Sequence, residues 1–402
     1  MATLHFEPTH ESSQVFSLQG KALKLTTKQD IQPHLDALEK LEKVTKLDLS
    51  GNTIGEEASV ALADFITTHD SLRLHVQEVN FADLYTSRLV DEVVASLTAF
   101  LPALLKCHRL EILNLSDNAF GLRTIDQLEN YIANAVYLKH LILSNNGLGP
   151  HAGERVGKAL FMLAQNKRKL KLNPLETFIC GRNRLENGSS LYLALGLKSH
   201  GDGLQNVRLY QNGIRPKGVA TILHYGLKHN KNLKVLDLQD NTFTTTASSV
   251  LSEVLPIWKD SLVELNLNDC LLKQNGADLV FKVFAETKFT KLEVLKAEYN
   301  EMVQETLEQV LLPAVEREQL PKLKKLELNG NWLEENSEPL DQLQARFPDL
   351  ELDDLEEPDS EEEEEEEDEA EQLKEVDSGA LENELLNTRV DTLAEELSKT
   401  HI

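Results

Sequence analysis

The stretch LKHLILSNNGLGP, residues 138–150, contains the pattern that decides the fold: apolar-x-x-apolar-x-apolar-x-x-Asn-x-apolar. The pattern occurs ten times along the chain, and successive copies are 28 to 37 residues apart. Cys270 and Leu84 take the place of the Asn in two copies. We call this position the ladder residue; in the other eight copies it is Asn52, Asn118, Asn146, Asn183, Asn212, Asn241, Asn300 and Asn331.

The period and the pattern together indicate leucine-rich repeats. Each copy, or coil, is predicted to hold a short strand with inward apolar side chains, a ladder Asn that binds backbone groups, and then a helix. Parallel strands lie about 4.8 Å apart and packed helices about 8–10 Å apart, so the stack must curve with its strands inside. We therefore expect an α/β horseshoe of the ribonuclease-inhibitor type, with about eleven coils.

The repeats predict a domain over residues 1–352, in which FSLQGKALKL (residues 16–25) forms a capping coil. Residues 353–380 are predicted to be a disordered acidic segment, because their charges repel and little apolar surface is available for burial. Residues 381–402 have the spacing of an amphipathic helix, with its apolar face formed by Leu381, Leu385, Leu386, Leu393 and Leu397.

Charge and composition narrow the functional class. The chain of 402 residues has a formal net charge of −26, which disfavours nucleic acid as a partner. Residues 349–402 account for 24 acidic and three basic side chains, so a basic partner surface is favoured. No signal peptide or span of about 20 apolar residues is present, and three cysteines are too few for a disulfide framework. We expect a monomeric protein inside the cell, with no membrane contact.

No motif of a catalytic, phosphate-binding or metal-binding site is present, and the twelve His residues have no ligand spacing, so no metal or cofactor is predicted. The more informative positions directly precede the ladder residues, where each strand leads into its helix. We call them the rim row. A structural row is expected to hold small or apolar residues, whereas this one is largely polar. Either it is an ordinary solvated rim or it is a docking strip with negative character. The row is Gly51, Asp83, Asp117, Asn145, Arg182, Gln211, Asp240, Asp269, Tyr299 and Gly330.

Several segments resemble the fungal type of Ran GTPase-activating protein: DLSGNTIG, LSDNAFG, LSNNGLGP, CGRNRLENGS, QNGIRP, LDLQDNTFT, LNDCLL, LELNGN, the acidic block and the ending ELSKTHI. The resemblance implies a protein that docks on GTP-bound Ran, a nuclear-transport GTPase, and stimulates GTP hydrolysis in Ran's own active site. GTP and Mg²⁺ would then belong to the partner, and a Ran-binding protein is a further candidate partner. The resemblance also implies that Asn145 is the key amide, while Asn146 is structural.

A neutral Asn cannot replace the positive charge of an arginine finger, but it can orient the GTPase's glutamine and attacking water. By resemblance, Arg88 in FADLYTSR, Arg184 in GRNR and Asp240 in LDLQDN are docking or supporting residues. A local ion pair or cap is the alternative for Arg184 and Asp240. Val90 stands where the family pattern is basic, so one docking contact is in doubt. Three further rim-row acids are predicted to bind the partner: Asp83, Asp117 and Asp269.

The acidic segment is interpreted either as a solubilising tail or as an electrostatic attractor that speeds association at low salt. By the same resemblance, the protein is expected to lack the additional domain that attaches animal relatives to the nuclear pore. A cytoplasmic location is expected, with the cytosolic face of the nuclear envelope as a second site. The alternative function is a non-catalytic repeat scaffold or inhibitor that binds a protein on its concave face.

Overall fold

The computed structural model describes residues 9–352, 354, 355 and 375–387. An open sheet of eleven parallel strands runs through it in the order β1, β3 and then β5 to β13, and β2 pairs with β4. The predicted number of coils is confirmed. The strands are β1 Val15–Ser17, β2 Lys24–Leu25, β3 Lys46–Asp48, β4 Thr53–Ile54, β5 Glu78–Asn80, β6 Ile112–Asn114, β7 His140–Ile142, β8 Thr177–Ile179, β9 Asn206–Arg208, β10 Val235–Asp237, β11 Glu264–Asn266, β12 Val294–Lys296 and β13 Lys325–Glu327.

Helices follow the strands and cover the outer, convex side. Two of the coils contain π-helical turns, Ile222–Gly226 and Leu307–Leu311, and short 3₁₀ turns occur in others. The α-helices are α1 Lys28–Glu39, α2 Glu56–Thr68, α3 Asp70–Arg73, α4 Val90–Leu104, α5 Ile125–Asn134, α6 Gly149–Lys169, α7 Glu186–Ser199, α8 Pro216–Thr221, α9 Thr244–Val254, α10 Lys273–Glu286, α11 Gln304–Thr306, α12 Leu312–Glu316 and α13 Glu338–Arg346.

The core is one continuous layer between the sheet and the helices. The central residue of each short strand points into it, as Leu113, Leu141 and Phe178 do with no exposed surface. The apolar face predicted for α5 is also confirmed, because Ile125, Leu128, Tyr131 and Ile132 are the buried residues of that helix. Since each coil contacts mainly its two neighbours, the fold repeats one packing solution along the chain.

The ladder residues hold neighbouring coils together through their side chains. The Nδ2 of Asn146 donates to the carbonyls of Leu143 in its own coil (2.9 Å) and of Leu115 in the preceding coil (3.0 Å). Its Oδ1 accepts the N–H of Asn118 (3.0 Å), and Asn183 Oδ1 in turn accepts the N–H of Asn146 (2.9 Å). All eight ladder Asn residues are buried. The structural role predicted for Asn146 is confirmed.

The two ladder positions without Asn differ in the hydrogen bonds that they keep. The thiol of Cys270 still donates to the Leu238 carbonyl of the preceding coil at 3.4 Å, which is a weak replacement for an amide. Leu84 has no polar group to donate, although its own N–H binds Asn118 Oδ1 at 2.7 Å. The loop after it contains Ser87 at φ 65° and the half-buried Arg88.

The predicted domain limit at residue 352 is two or three residues too early. The backbone N–H of Asp354 donates to Asn329 Oδ1 at 2.9 Å, and the hydroxyl of Tyr299 donates to Asp354 Oδ2 at 2.7 Å. Leu352 and Leu355 also pack partly buried against the core. An acidic residue can thus belong to the repeat domain when its carboxylate and backbone have specific partners.

The terminal helix begins earlier than predicted. It covers residues 378–387, so its first turn lies inside the segment predicted to be disordered. Asp377 explains the start, because its Oδ1 accepts the N–H of Ala380 at 2.9 Å and caps the helix. The predicted helical positions Leu393 and Leu397, and most of the predicted acidic segment, lie outside the described residues.

Replacing a ladder Asn should destabilise the whole stack. Asn212 donates to the carbonyls of Cys180 and Leu209 and accepts the N–H of Asn183, all within 2.9 Å. Asn212→Ala leaves these three buried groups without partners, and we expect a loss of about 4 kcal/mol in unfolding free energy. Urea denaturation measures it.

The matched control is Asn232→Ala, since Asn232 is exposed and donates one long hydrogen bond to the Asp202 carbonyl. We expect this variant to unfold within about 0.5 kcal/mol of the parent chain. Equal denaturation midpoints for the two variants would show that the ladder contributes no specific stability.

Candidate functional site

The rim row has one backbone conformation throughout. All ten of its residues have a positive φ, between 48° at Asp83 and 70° at Gly51. This left-handed region is accessible to Gly and is tolerated best by Asn and Asp among the other residues. The backbone therefore selects the residue types at this row before any partner is considered.

The expectation that a structural row would hold small or apolar residues is consequently wrong. Seven of the ten residues are Gly, Asp or Asn, which the left-handed conformation favours by itself. The polar composition of the row does not, therefore, indicate a docking strip. Arg182, Gln211 and Tyr299 are the exceptions, because each adopts this conformation without being a residue that favours it. Such strain occurs often at functional sites.

Asn145 lies in the rim row between β7 and α6, half-buried and with a φ of 54°. Its side-chain Nδ2 donates to Asp117 Oδ1 of the preceding coil at 2.8 Å. An amide group has one acceptor oxygen and two donor hydrogens, and this contact uses one hydrogen. The contact with Asp117 therefore leaves the amide oxygen and the second hydrogen of Nδ2 for other partners.

The backbone on both sides of Asn145 is anchored. Its N–H donates to the Gly181 carbonyl in the next coil (2.9 Å), and the carbonyl of Ser144 accepts the N–H of Asp117 (2.9 Å). The ring of Tyr210 covers Gly181 so closely that a Cβ there would lie 2.4 Å from it. The hydroxyl of Tyr210 also donates to Ser144 Oγ at 3.2 Å. Asn145 therefore projects from a rigid support.

Arg88 is held inside the protein. Its side chain is 9% exposed. The guanidinium donates from Nε to Thr53 Oγ1 at 2.9 Å and from Nη2 to Thr26 Oγ1 at 2.8 Å. Its Nη1 faces Glu92 Oε1 at 3.3 Å. In this state Arg88 connects three coils, so direct contact with a partner would require these bonds to break. The role predicted for it stays a prediction.

Arg184 is exposed, and the local ion pair considered for it does not form with any residue that the structure describes. It follows the ladder Asn183, and it too has a positive φ, of 53°. Arg182 is likewise exposed and lies in the rim row next to Asn145. Two strained arginines thus flank one ladder residue. The resemblance pointed to Arg184 alone, and Arg182 could have been noticed as the only cation in the row.

The four acids of the row are not equivalent. Asp117 is exposed and binds Asn145, whereas Asp83 Oδ1 accepts the hydroxyl of Thr86 at 2.6 Å. Asp240 Oδ2 accepts Gln211 Nε2 at 2.9 Å, which is neither an ion pair nor a helix cap. Partial burial, and then the nearby Asp240, raise the pKa of Asp269. Asp117 contacts Asn145, whereas Asp83 and Asp240 form hydrogen bonds with other side chains.

Comparison with known proteins decides the family. A family model described as leucine-rich repeat matches residues 40–63 and 229–247. The chain is 68% identical over 352 residues to Ran GTPase-activating protein 1 of Saccharomyces cerevisiae, covering 88% of this chain and 86% of that protein. The chain belongs to the Ran GTPase-activating protein family.

More distant members match over part of their length. Ran GTPase-activating protein 2 of Caenorhabditis elegans is 40% identical over 206 residues, which are 50% of this chain and 21% of that protein. Among solved structures, the leucine-rich repeat-containing protein LegL7 of Legionella pneumophila aligns with a TM-score of 0.35 at 16% identity. The alignment covers 83% of this chain and 99% of that one.

The concave face of this family member is occupied by its own ion pairs. Arg208 on β9 lies 3.2 Å from Asp237 on β10 and 3.2 Å from Glu264 on β11, and all three are buried. Further along, Lys296 Nζ lies 2.8 Å from Glu327 Oε1. Charges paired within the sheet are less available to a partner. This pairing disfavours the concave-face scaffold considered as the alternative function.

Across the described ranges, no group of His, Cys, Asp and Glu side chains could hold a metal ion. Within the same ranges, no helix is both long and apolar enough to cross a membrane.

A substitution at Arg182 tests whether the left-handed backbone, by itself, selects the residue types of the rim row. Arg182→Gly removes a side chain from a left-handed residue, so we expect the free energy of unfolding to rise by up to about 1 kcal/mol. The control is Lys282→Gly at an exposed position inside α10, where the same kind of change should lower it by about 1 kcal/mol. Denaturant unfolding measures both. Destabilisation of similar size in the two variants would contradict the interpretation.

Proposed function

We propose that this chain stimulates GTP hydrolysis by GTP-bound Ran, that it docks with its rim row, and that Asn145 orients the GTPase's catalytic glutamine and attacking water. Membership in the family supports the activity, because the relatives are named for it. One structural observation supports the mechanism: the Asn145 amide donates from Nδ2 to Asp117, so its oxygen takes no part in that contact.

In this mechanism the glutamine side chain donates an N–H to Asn145 Oδ1. Its own carbonyl oxygen then accepts a hydrogen bond from the water that attacks the γ-phosphate. Holding the water in line lowers the barrier by removing orientational freedom before the reaction. Asn145 adds no charge to the transition state, so it acts as a positioning residue and not as an arginine finger.

Asp117 has a supporting role in the same proposal. Its carboxylate can only accept hydrogen bonds, so it selects the amide orientation in which Nδ2 faces it. The opposite orientation would place two oxygens against each other and would turn the amide hydrogens toward the partner. We assign Asp117 to the orientation of Asn145, and the partner-binding roles of Asp83, Asp240, Asp269 and Arg184 stay part of the proposed docking surface.

The proposal also covers the oligomeric state of the protein and its location in the cell. The chain acts as a monomer in the cytoplasm, with the cytosolic face of the nuclear envelope as a second location, and GTP and Mg²⁺ are bound by Ran. A Ran-binding protein is a further proposed partner. The acidic segment is proposed to speed association at low salt; deletion after residue 355 with an unchanged association rate would reject that role.

Asn145 should affect rate more than binding. For Asn145→Ala we expect a loss of about 100-fold or more in the maximal single-turnover rate of Ran GTP hydrolysis, with modest weakening of binding. Asn145→Gly is the sharper variant, because Gly accepts the left-handed backbone and removes the amide without strain. Rapid mixing of saturating protein with GTP-loaded Ran measures the rate. A normal maximal rate in either variant would refute the positioning role.

Substitutions of three arginines test the proposal that the protein uses no arginine finger. Arg88→Ala should mainly raise the concentration needed for half-maximal stimulation, whereas removal of a finger costs on the order of 10³ or more in maximal rate. Arg182→Ala and Arg184→Ala are required in the same experiment, because Arg182 is next to Asn145 in the rim row and Arg184 lies two residues further along the chain. We expect all three variants to reach the parent rate within about 10-fold at saturation. A 10³-fold loss in any of them would identify a finger.

A further inference from the structure

One part of this acidic chain is strongly basic. Residues 187–236 contain seven Lys and Arg residues but a single acid, Asp202, in a chain whose net charge is −26. The ends of the outer helices in this region bring several of these charges together on the convex face. We call the cluster the basic patch; it consists of Lys198, His224, Tyr225, Lys228 and His229.

The charges of the basic patch lie close enough to affect one another. Lys228 Nζ lies 3.2 Å from His224 Nε2. Burial lowers the pKa of Lys228, Glu253 on α9 opposes this effect, and Lys198 adds to it. The pKa of His229 is lowered by burial, then by Lys198 and by Lys228. The ammonium groups of Lys198 and Lys228 thus repel each other, and an acidic group that approaches them offsets this repulsion.

Residues 375–387 supply that acidic group. Glu382 Oε1 lies 2.7 Å from Lys198 Nζ, and the two side chains are 29% and 27% exposed. Glu382 also opposes the lowering of the His229 pKa, so it acts on two members of the patch. In addition, the backbone N–H of Val376 donates to the hydroxyl of Tyr225 at 3.1 Å. The contact thus includes a partly buried ion pair and a hydrogen bond.

The docked helix meets the patch with one face. Its half-buried residues are Ser378, Leu381, Glu382 and Leu385, while the other residues of 378–387 are exposed. These positions have the spacing i, i+3, i+4 and i+7, which is one side of an α-helix. An amphipathic helix with an acid among its buried residues is therefore the shape and charge that this surface fits.

The chain length permits this contact. Nineteen residues, 356–374, connect Leu355 to Glu375, and an extended chain of that length spans about 65 Å. Four coil-to-coil steps separate the patch from the last coil, which is about 40 Å across the stacked helices. This distance is shorter than the span of 19 extended residues, so residues 375–387 can reach the patch of the same chain.

The patch is also well separated from the rim row. The α7 helix starts at Glu186, four residues after the rim-row residue Arg182, and Lys198 lies near its other end. Twelve helical residues correspond to about 18 Å. A ligand on the patch and a partner on the rim can therefore bind at the same time.

We propose that the basic patch is a docking site for acidic amphipathic helices and that residues 375–387 of the same chain are its resident ligand. A partner protein that carries such a helix competes with the resident segment and displaces it. This site does not depend on the proposed GTPase-directed function, because none of its residues belongs to the rim row.

Charge reversal in the full-length chain tests the resident contact. Lys198→Glu and Glu382→Lys each place like charges at the ion pair, so we expect the amides of 379–386 to exchange hydrogen about 10-fold faster or more. The double variant restores opposite charges and should return exchange to within about 2-fold of the parent. Lys288→Glu, at an exposed site near the end of the stack, is the control. Equal exchange in all variants would overturn the proposal.

A peptide in trans tests the site itself. A labelled synthetic peptide of residues 375–387 should bind the Glu382→Lys chain, whose own helix is released, with a dissociation constant below about 1 mM. It should bind the parent more weakly, because the resident segment competes, and it should not bind Lys198→Glu. Circular dichroism confirms that each variant is folded. Equal peptide binding to the Lys198→Glu and Lys288→Glu chains would overturn the docking site.

Discussion

The rest of the structure depends on the hydrogen bonds of the ladder Asn. At each coil the chain must turn inward from strand to helix, and this turn would leave buried carbonyl and N–H groups without partners. One amide per coil satisfies groups of its own coil and of a neighbour, as Asn146 does with Leu143, Leu115 and Asn118. The bonds fix the coils relative to each other, and the loop beside them has one backbone shape, which is kept even at Asp83 before the substituted position Leu84.

That backbone shape determines where the functional residues point. The residue before each ladder position is left-handed in every coil, so its side chain leaves the rim in the same manner each time. The ladder therefore produces a row of evenly placed side chains on a rigid edge. The amide of Asn145 is held by Asp117 of the preceding coil, and the amide of Gln211 is held in the same way by Asp240 of the following coil. An oriented neutral amide is suited to position a group in another protein's active site.

Sequence reasoning predicted the features that repeat. The ladder pattern and the period were sufficient for eleven strands, for the helices that follow them and for the buried role of Asn146. It failed where a residue depends on another coil or on the backbone: the composition of the rim row is explained by a positive φ, which no periodicity reveals. The docking role of Arg88 stays a prediction, but the sequence did not reveal that its guanidinium binds Thr26, 62 residues earlier in the chain. The helix at 378–387 starts before its predicted first residue because Asp377 caps it. The sequence did not single out Asp377 as a cap, because it is one of many acidic residues in this region.

The central claim is that Asp117 acts through Asn145, and a double-mutant cycle tests it most directly. The maximal single-turnover rate of Ran GTP hydrolysis is measured for Asp117→Ala, Asn145→Gly and the double variant. If Asp117 only orients the amide, its removal should slow the parent by about 10-fold and should have almost no effect once Asn145 is Gly. Rate losses that multiply in the double variant would contradict the account, because Asp117 would then act independently of Asn145.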